Sequence, residues 1–270
     1  MIKMVATDID GTILGKSGEF TEGVKNCIKT MQNEGIHVVV VTGRMFAAAK
    51  QIAKRLGLNT PVVAYQGGMV KKSCDSNETL YESCIPKDDV LNIINWAKQN
   101  NVHLNLYSND ILYVEEDDDI IKRYSTYQNV EYKVSPFENL ELENIHKLLA
   151  INYNDANLVT EWINTCRASM PHLYIVKSTP WFCEFATTTA TKACAVNFLK
   201  EYWNLSDNEV LTIGDQDNDI ELLKAGGISV AMGNGTKGVK AQADYITDTV
   251  ENDGFVKAME KFVLGVKNNV

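Results

Sequence analysis

The chain of 270 residues is long enough for one large α/β domain, or for a main domain with a smaller second one. Hydrophobic residues make up 45% of the sequence and charged residues 23%, which is typical of a globular protein. The formal net charge of −9 argues against nucleic acid as the main partner, because a phosphate backbone needs a basic surface. No run of about 18 apolar residues occurs, so no membrane-spanning helix is expected.

The cysteines and the first residues bear on where the protein works. The six cysteines are scattered without a CxxC pair, which favours reduced thiols over a disulfide framework; they are Cys27, Cys74, Cys84, Cys166, Cys183 and Cys194. The apolar start of the chain is short and runs directly into Asp8, which is not typical of a signal peptide. We therefore expect a soluble cytoplasmic protein.

The first part of the chain alternates apolar strands with amphipathic helices. Apolar residues recur at helical spacing before Gly35, a suitable C-cap, and the next segment is rich in β-branched residues, as in a buried parallel strand. Strands are predicted at 2–7, 36–41 and 61–65, and helices at 21–34 and 46–57. This alternation predicts βαβ units around a parallel sheet.

The pattern changes near residue 80. Helices are predicted at 88–99 and 155–168, and strands at 103–107, 111–114, 130–134, 148–153, 172–177 and 181–186. The first two of these strands flank Ser108-Asn109-Asp110, as in a hairpin. The acidic run 115–119 is expected to be an exposed loop that leads into a helix N-terminus, where carboxylates are favourable, and not a metal site. The mixture predicts an inserted α+β domain.

From about residue 190 the βαβ pattern returns. Helices are predicted at 191–203, 219–225 and 253–263, and strands at 210–213 and 228–231. The predicted fold class is therefore α/β, with a Rossmann-like parallel-sheet core and an inserted α+β domain.

Three polar motifs each follow a predicted strand: Asp8-Ile9-Asp10-Gly11-Thr12, Thr42-Gly43-Arg44 and Gly214-Asp215-Gln216-Asp217-Asn218-Asp219. Loops after the carboxyl ends of parallel strands converge on one crevice. Carboxylates crowded there repel one another, and magnesium resolves that conflict because it takes carboxylate, water and phosphate oxygens as ligands. Zinc is disfavoured because these loops contain no His or Cys. The sequence therefore predicts a magnesium site.

These motifs resemble those of the haloacid dehalogenase superfamily of phosphatases, specifically its Cof-type members of subfamily IIB. The motif order matches, the large insertion falls between the second and third motifs, and the similarity extends to Ala231-Met232-Gly233-Asn234-Gly235, Ala243-Asp244-Tyr245-Ile246-Thr247 and Asn252-Asp253-Gly254. The resemblance implies a phosphatase that uses Mg²⁺ and an aspartyl phosphate to hydrolyse small phosphomonoesters, such as sugar phosphates. It also implies a catalytic core of residues 1–83 and 187–270, with a cap of residues 84–186.

The resemblance implies a role for each motif residue. Asp8 is the expected nucleophile, and Asp10 the expected general acid and base. The expected magnesium ligands are Asp8, Asp10 and Asp215, with Asp219 supporting the metal. The residues expected to bind the substrate's phosphate are Thr42, Gly43, Lys192 and Asn218.

Three positions depart from the family pattern. Thr189 and Ala193 stand where Gly is frequent, at the cap hinge, and Gln66 stands where Asn is common, near the leaving group. The cap aromatics Tyr107, Tyr113, Trp181 and Phe182 are candidates to line the substrate surface, although such residues more often serve packing.

Two other functions compete with a phosphatase. A phosphomutase or phosphotransferase would use the same aspartyl phosphate. A binding or regulatory module would keep the fold without turnover, and the intact motif residues argue against it. The sequence names neither the ester nor the oligomeric state.

Overall fold

The structure is a computed structural model, and it describes residues 1–265. Its strands are β1 (Met4–Thr7), β2 (His37–Val40), β3 (Val62–Ala64), β4 (Met69–Lys71), β5 (Thr79–Glu82), β6 (His103–Ser108), β7 (Ile111–Val114), β8 (Tyr132–Val134), β9 (Ile145–Ile151), β10 (Leu173–Thr179), β11 (Phe182–Thr187), β12 (Val210–Gly214), β13 (Ile228–Ala231) and β14 (Tyr245–Ile246).

Helices connect most of these strands. They are α1 (Glu22–Asn33), α2 (Phe46–Arg55), α3 (Lys87–Gln99), α4 (Asp119–Gln128), α5 (Ala156–Ser169), α6 (Lys192–Tyr202), α7 (Ile220–Lys224), α8 (Lys237–Lys240) and α9 (Gly254–Met259). Across residues 1–265, none of the helices combines the length and the apolar character that crossing a membrane requires.

A parallel sheet forms the centre of the molecule, in the order β14-β13-β12-β1-β2. A parallel bridge between Val41 and Val63 places β3 beside β2. Every residue of β1 is buried, and Val5 packs in one hydrophobic cluster while Met4 and Ala6 pack in another. The sheet therefore has a hydrophobic core on each face, which explains the continuous apolar runs in its strands. The predicted α/β class is confirmed.

A second sheet, in the order β10-β11-β9-β6-β7-β8, belongs to the inserted domain, which we call the cap. Its strand pairs are antiparallel except for β7 with β8. Side chains alternate between its faces: Leu148 and Ala150 of β9 pack in a cluster with residues of α3 and α5, whereas Leu149 packs in the cluster of the parallel sheet. One face of the cap sheet is therefore covered by helices, and the other faces the core.

The structure departs from the predicted elements in a few places. The hairpin of β4 and β5 was not predicted, because β4 has three residues and β5 lacks buried residues that would reveal its pattern. The predicted strand 61–65 ends at Ala64, since Tyr65 takes a positive φ of 53°. In the acidic run, the carboxylate of Asp118 accepts a hydrogen bond from Ile121 N at 2.9 Å. That run is therefore a helix cap, as expected.

The turn after Tyr65 brings β3 against the start of α6. Gly67 takes a φ of +106°, and a Cβ there would lie 2.1 Å from the carbonyl oxygen of Thr191, the residue that precedes α6. Only glycine fits both the conformation and the space. This close approach fixes the start of α6 relative to the end of the parallel sheet.

We expect Gly67→Ala to lower the free energy of unfolding by at least about 2 kcal/mol, because the backbone of Thr191 cannot give way cheaply. Urea unfolding measures the loss. Gly18→Ala is the matched control, since Gly18 has a φ of +72° but no atom within 4 Å of the added Cβ. That control should cost about 1–2 kcal/mol, because alanine is strained at a positive φ even in open space. Equal losses in the two variants would contradict a steric role for the turn.

Candidate active site

A cavity of about 70 Å³ lies between the cap and the ends of the parallel strands. The core lines it with residues that follow β1, β2, β3 and β12, namely Asp8, Asp10, Thr42, Gly43, Arg44, Gln66, Gln216 and Asn218. The cap lines it with Tyr124, Tyr127, Gln128, Lys147, Leu149, Ser178, Thr179, Phe182 and Glu184. The three sequence motifs therefore meet at one place, the edge where the parallel strands end.

Lys192 joins the first and third motifs from beneath the cavity. It is the first residue of α6, whose N-cap Thr191 accepts a hydrogen bond from Cys194 N at 3.1 Å. Its Nζ donates to Asp8 Oδ1 at 2.5 Å and to Asp219 Oδ1 at 2.6 Å. The residue is 2% exposed, so the bonds form away from water.

The charge of Lys192 depends on its two carboxylate partners. Burial lowers the pKa of Lys192, but Asp219 and Asp8 outweigh burial and hold the pKa above its ordinary value. The ammonium therefore remains charged in the interior, where it can offset negative charge on neighbouring oxygens.

Asp219 shapes the loop that carries Asp215. Its Oδ2 accepts hydrogen bonds from Asp215 N and Gln216 N, each at 3.0 Å, while its Oδ1 accepts from Lys192. Both oxygens are thus engaged by the protein. Asp215 accepts hydrogen bonds from Gln216 Nε2 at 2.7 Å, and from Thr12 Oγ1 and Asn234 Nδ2, each at 3.4 Å.

The carboxylates of Asp8, Asp215 and Asp219 form a cluster that fits a divalent cation. Oxygens from all three lie within 4.8 Å of one another, and all three residues are buried. Burial raises the pKa of Asp8 well above its ordinary value; Lys192 lowers it, while Asp219, Asp215 and Asp10 raise it further. Burial and the charge of Asp219 also raise the pKa of Asp215 to about 7. One ammonium therefore does not neutralise the cluster.

A count of the charged side chains around the site also indicates excess negative charge. Four carboxylates surround the site, against two cationic side chains that bond to them: Asp8, Asp10, Asp215 and Asp219 against Lys192 and Arg44. If all four carboxylates are ionised, two negative charges are left over, and a bound divalent cation would neutralise them and so favour the ionised forms. The all-oxygen donor set suits magnesium.

Asp10 lies apart from this carboxylate cluster. Arg44 Nε donates to Asp10 Oδ2 at 2.8 Å, and the Arg44 terminal nitrogen donates to Oδ1 at 2.5 Å. Such a two-pronged contact occupies both carboxylate oxygens. Asp10 was expected among the metal ligands, and in this structure its carboxylate binds Arg44.

The residues expected to bind phosphate also line the cavity, except for Lys192, which reaches it through Asp8. Thr42 Oγ1 accepts a hydrogen bond from Arg44 N at 3.1 Å. Asn218 Nδ2 donates to Gln66 Oε1 at 3.2 Å. Among residues 1–265, the buried Asn218 Oδ1 has no hydrogen-bond partner.

Sequence reasoning missed the charged residues that the cap places at the cavity. Lys147 Nζ donates to the carbonyl oxygen of Gly43 at 2.7 Å and lies 3.2 Å from Glu184. Both charged side chains sit inside apolar strands, β9 and β11, on the face that meets the core. A charged residue within a buried strand was a signal that could have identified them.

Of the four cap aromatics considered, Phe182 lines the cavity. Tyr107 is fully buried and donates a hydrogen bond to Tyr124 at 2.6 Å. Tyr113 packs against the cluster beneath the cap helices, and Trp181 packs against the cluster that the cap shares with the core. The packing interpretation is therefore correct for these three.

We expect Lys192→Met to lower the free energy of unfolding by about 3–5 kcal/mol without divalent metal, because it leaves two buried carboxylates unpaired. Lys224→Met is the control, since the pair of Lys224 with Glu221 is half exposed and contributes about 1 kcal/mol or less. Urea unfolding compares the two variants. A loss at Lys192 no larger than at Lys224 would contradict the structural role of the ammonium.

Comparisons with known proteins agree with this arrangement. A family model described as haloacid dehalogenase-like hydrolase matches residues 5–259. The 5-amino-6-(5-phospho-D-ribitylamino)uracil phosphatase YcsE of Bacillus subtilis is 29% identical over 267 residues, 97% of this chain and 96% of the relative. The phosphoglycolate phosphatase of Methanosarcina acetivorans is 27% identical over 258 residues, 96% of this chain and 95% of the relative.

A solved structure extends the comparison to three dimensions. The crystal structure of a haloacid dehalogenase-like hydrolase from Bacteroides thetaiotaomicron matches with a TM-score of 0.86 and 25% identity, covering 97% of this chain and 99% of that one. The chain therefore belongs to the haloacid dehalogenase-like hydrolases, and the predicted enzyme class, a phosphatase, is confirmed with the family.

Proposed function

We propose that this enzyme hydrolyses small phosphomonoesters with Mg²⁺ through a phosphorylated Asp8. The observation that carries the proposal is the position of Asp8, which is 7% exposed, lines the cavity and has one oxygen bonded to the buried Lys192. A carboxylate fixed in this way has a defined direction of attack.

The first step forms a bond between Asp8 Oδ2 and phosphorus and breaks the ester P–O bond. Oδ2 is the proposed nucleophile because Lys192 holds Oδ1 at 2.5 Å. The leaving oxygen takes its proton from the Asp10 carboxyl group. In the second step Asp10 accepts a proton from water as that water attacks the aspartyl phosphate, and phosphate and free Asp8 are released.

Arg44 bears on the timing of the proton transfers. Its two hydrogen bonds engage both oxygens of the Asp10 carboxylate, and a contact of this kind leaves neither oxygen to carry a proton to the leaving group. The first step needs a protonated Asp10. We therefore propose that Asp10 leaves Arg44 when the ester enters and returns to it after the leaving group departs.

Asp8 and Asp215 are the proposed side-chain ligands of magnesium, and Asp219 holds the Asp215 loop from behind. Asp10, whose carboxylate binds Arg44, would reach the ion through its main-chain carbonyl oxygen. When bound, the ion would supply positive charge near the phosphoryl oxygens. Thr42, which lines the cavity and whose hydroxyl oxygen accepts a hydrogen bond from Arg44 N, is a proposed donor to phosphate.

The proposed cap comprises residues 84–186, and the proposed core residues 1–83 and 187–270. Cap side chains contribute about half of the cavity lining, so the leaving group would contact them. The named relatives act on a ribitylamino uracil phosphate and on phosphoglycolate, whose leaving groups differ greatly. We therefore assign the substrate as a class, small phosphorylated metabolites.

The wild-type enzyme should release phosphate and the parent alcohol in equal amounts from at least one member of a panel of phosphorylated metabolites with Mg²⁺. Asp8→Asn should lose at least about a thousandfold in rate, because an amide is not a nucleophile here. Asp75→Asn, which changes a surface carboxylate paired with Lys54, should keep the wild-type rate. Phosphate release and product analysis make the measurement.

Three results would contradict the proposal. If Asp8→Asn releases phosphate at near the wild-type rate, Asp8 is not the nucleophile. Full activity after exhaustive chelation would contradict the proposed need for Mg²⁺. So would activity that is restored by zinc and not by magnesium. An isomerised ester without stoichiometric phosphate would identify a phosphomutase instead.

A further inference from the structure

A buried chain of hydrogen bonds links the cap to the candidate phosphate site. Asn218 Nδ2 donates to Gln66 Oε1 at 3.2 Å, and Gln66 Nε2 donates to Glu184 Oε2 at 3.0 Å. All three residues are buried. Gln66 belongs to the core and Glu184 to the cap, so the chain of bonds crosses between the two.

The Glu184 carboxylate sets the direction of every bond in this chain. It accepts hydrogen bonds from Gln66 and Ser178 and lies 3.2 Å from Lys147 Nζ. An ionised carboxylate has no hydrogen to donate, so the Gln66 amide must present its nitrogen to Glu184. Its oxygen then faces Asn218, which must present Nδ2. The second hydrogen of Asn218 Nδ2 is left for an oxygen in the cavity that Asn218 lines.

The Gln66 backbone is fixed, which leaves its side chain as the adjustable part. Gln66 has a φ of 59°, and its N–H donates to the Thr42 carbonyl at 3.0 Å. The amide lies over Gly43, where a Cβ would stand 2.4 Å from Gln66 Nε2. Because Gly43 of the Thr42-Gly43-Arg44 motif has no side chain, there is room for the Gln66 amide. An Asn at position 66 would be one methylene shorter and would not span Asn218 and Glu184 at these distances.

We propose that Gln66 is a positioning residue: it couples the cap carboxylate Glu184 to the orientation of Asn218, so that Asn218 presents an N–H to phosphate when the cap is packed on the core. This inference rests on the proposed phosphatase function. It gives the cap a specific effect on phosphate binding, separate from its proposed contacts with the leaving group.

Reversing the donor and the acceptor tests the coupling. Gln66→Glu places a carboxylate against Glu184, and we expect the KM for a small aryl phosphate and the inhibition constant of inorganic phosphate to rise together by at least about tenfold. We expect kcat to change by less than about threefold. Adding Glu184→Gln restores a donor facing an acceptor, and both constants should return to within about threefold of the wild-type values.

Two further variants complete the test. Gln66→Asn removes the reach without adding charge, so it should raise both constants even if Gln66→Glu fails to fold. Gln51→Glu is the matched control, because Gln51 also bridges core and cap, through Asn129 at 2.8 Å, but lies outside the cavity lining. It should leave both constants unchanged.

The outcomes distinguish a failure of the coupling through Gln66 from a failure of the proposed phosphatase function. An active wild type with unchanged constants in the Gln66 variants would overturn the coupling alone. So would an equal effect of Gln51→Glu, or a double variant no better than Gln66→Glu. A wild type that releases no phosphate would overturn the proposed function, and the coupling with it.

Discussion

The buried ammonium of Lys192 is the constraint on which the site depends. It bonds two carboxylates that stand 184 and 27 residues away in the sequence, so three separate segments must converge on one nitrogen. Buried ion pairs add little net stability compared with apolar packing, and their value lies in the geometry that they enforce. Here that geometry fixes one oxygen of Asp8 and the loop that holds Asp215. The tight turn at Gly67 serves the same end, because it positions the first turn of α6 and so the lysine.

Polar contacts hold the cap against this charged centre. Lys147 reaches the carbonyl of Gly43, and Asp110 accepts hydrogen bonds from the hydroxyl of Tyr65 at 2.7 Å and from Ala47 N at 3.2 Å. The latter bond caps α2, whose own N-cap Met45 provides no side-chain acceptor. Leu149 and Phe182 of the cap also pack in the hydrophobic cluster of the parallel sheet, so polar and apolar contacts together hold the cap on the core. When the inserted domain packs on the core, it supplies both the hydrogen-bond acceptor at the N-terminus of α2 and about half of the cavity lining.

The sequence could predict what depends on local pattern. Asp8 and Asp215 follow apolar strands, and the loops after the carboxyl ends of parallel strands converge at one edge of the sheet. The pairing of Asp10 with Arg44 was not predictable, because it depends on side-chain directions beyond the strand ends. Nor was the contact of Lys147 with Gly43, which joins residues 104 positions apart. Which of the cap aromatics lines the cavity was not predictable for a related reason: the facing of Tyr107 and Trp181 depends on how the cap meets the core.

The stereochemical course at phosphorus tests the covalent role of Asp8 most directly. A phosphorothioate monoester made chiral at phosphorus with two oxygen isotopes is hydrolysed in water that carries the third isotope, and the configuration of the released chiral thiophosphate is measured. Attack by Asp8 followed by attack by water makes two in-line displacements, each with inversion, so the proposed mechanism predicts net retention. Direct attack of water on the ester makes a single displacement. Net inversion would therefore contradict the aspartyl phosphate, even if magnesium dependence and the Asp8→Asn result were as expected.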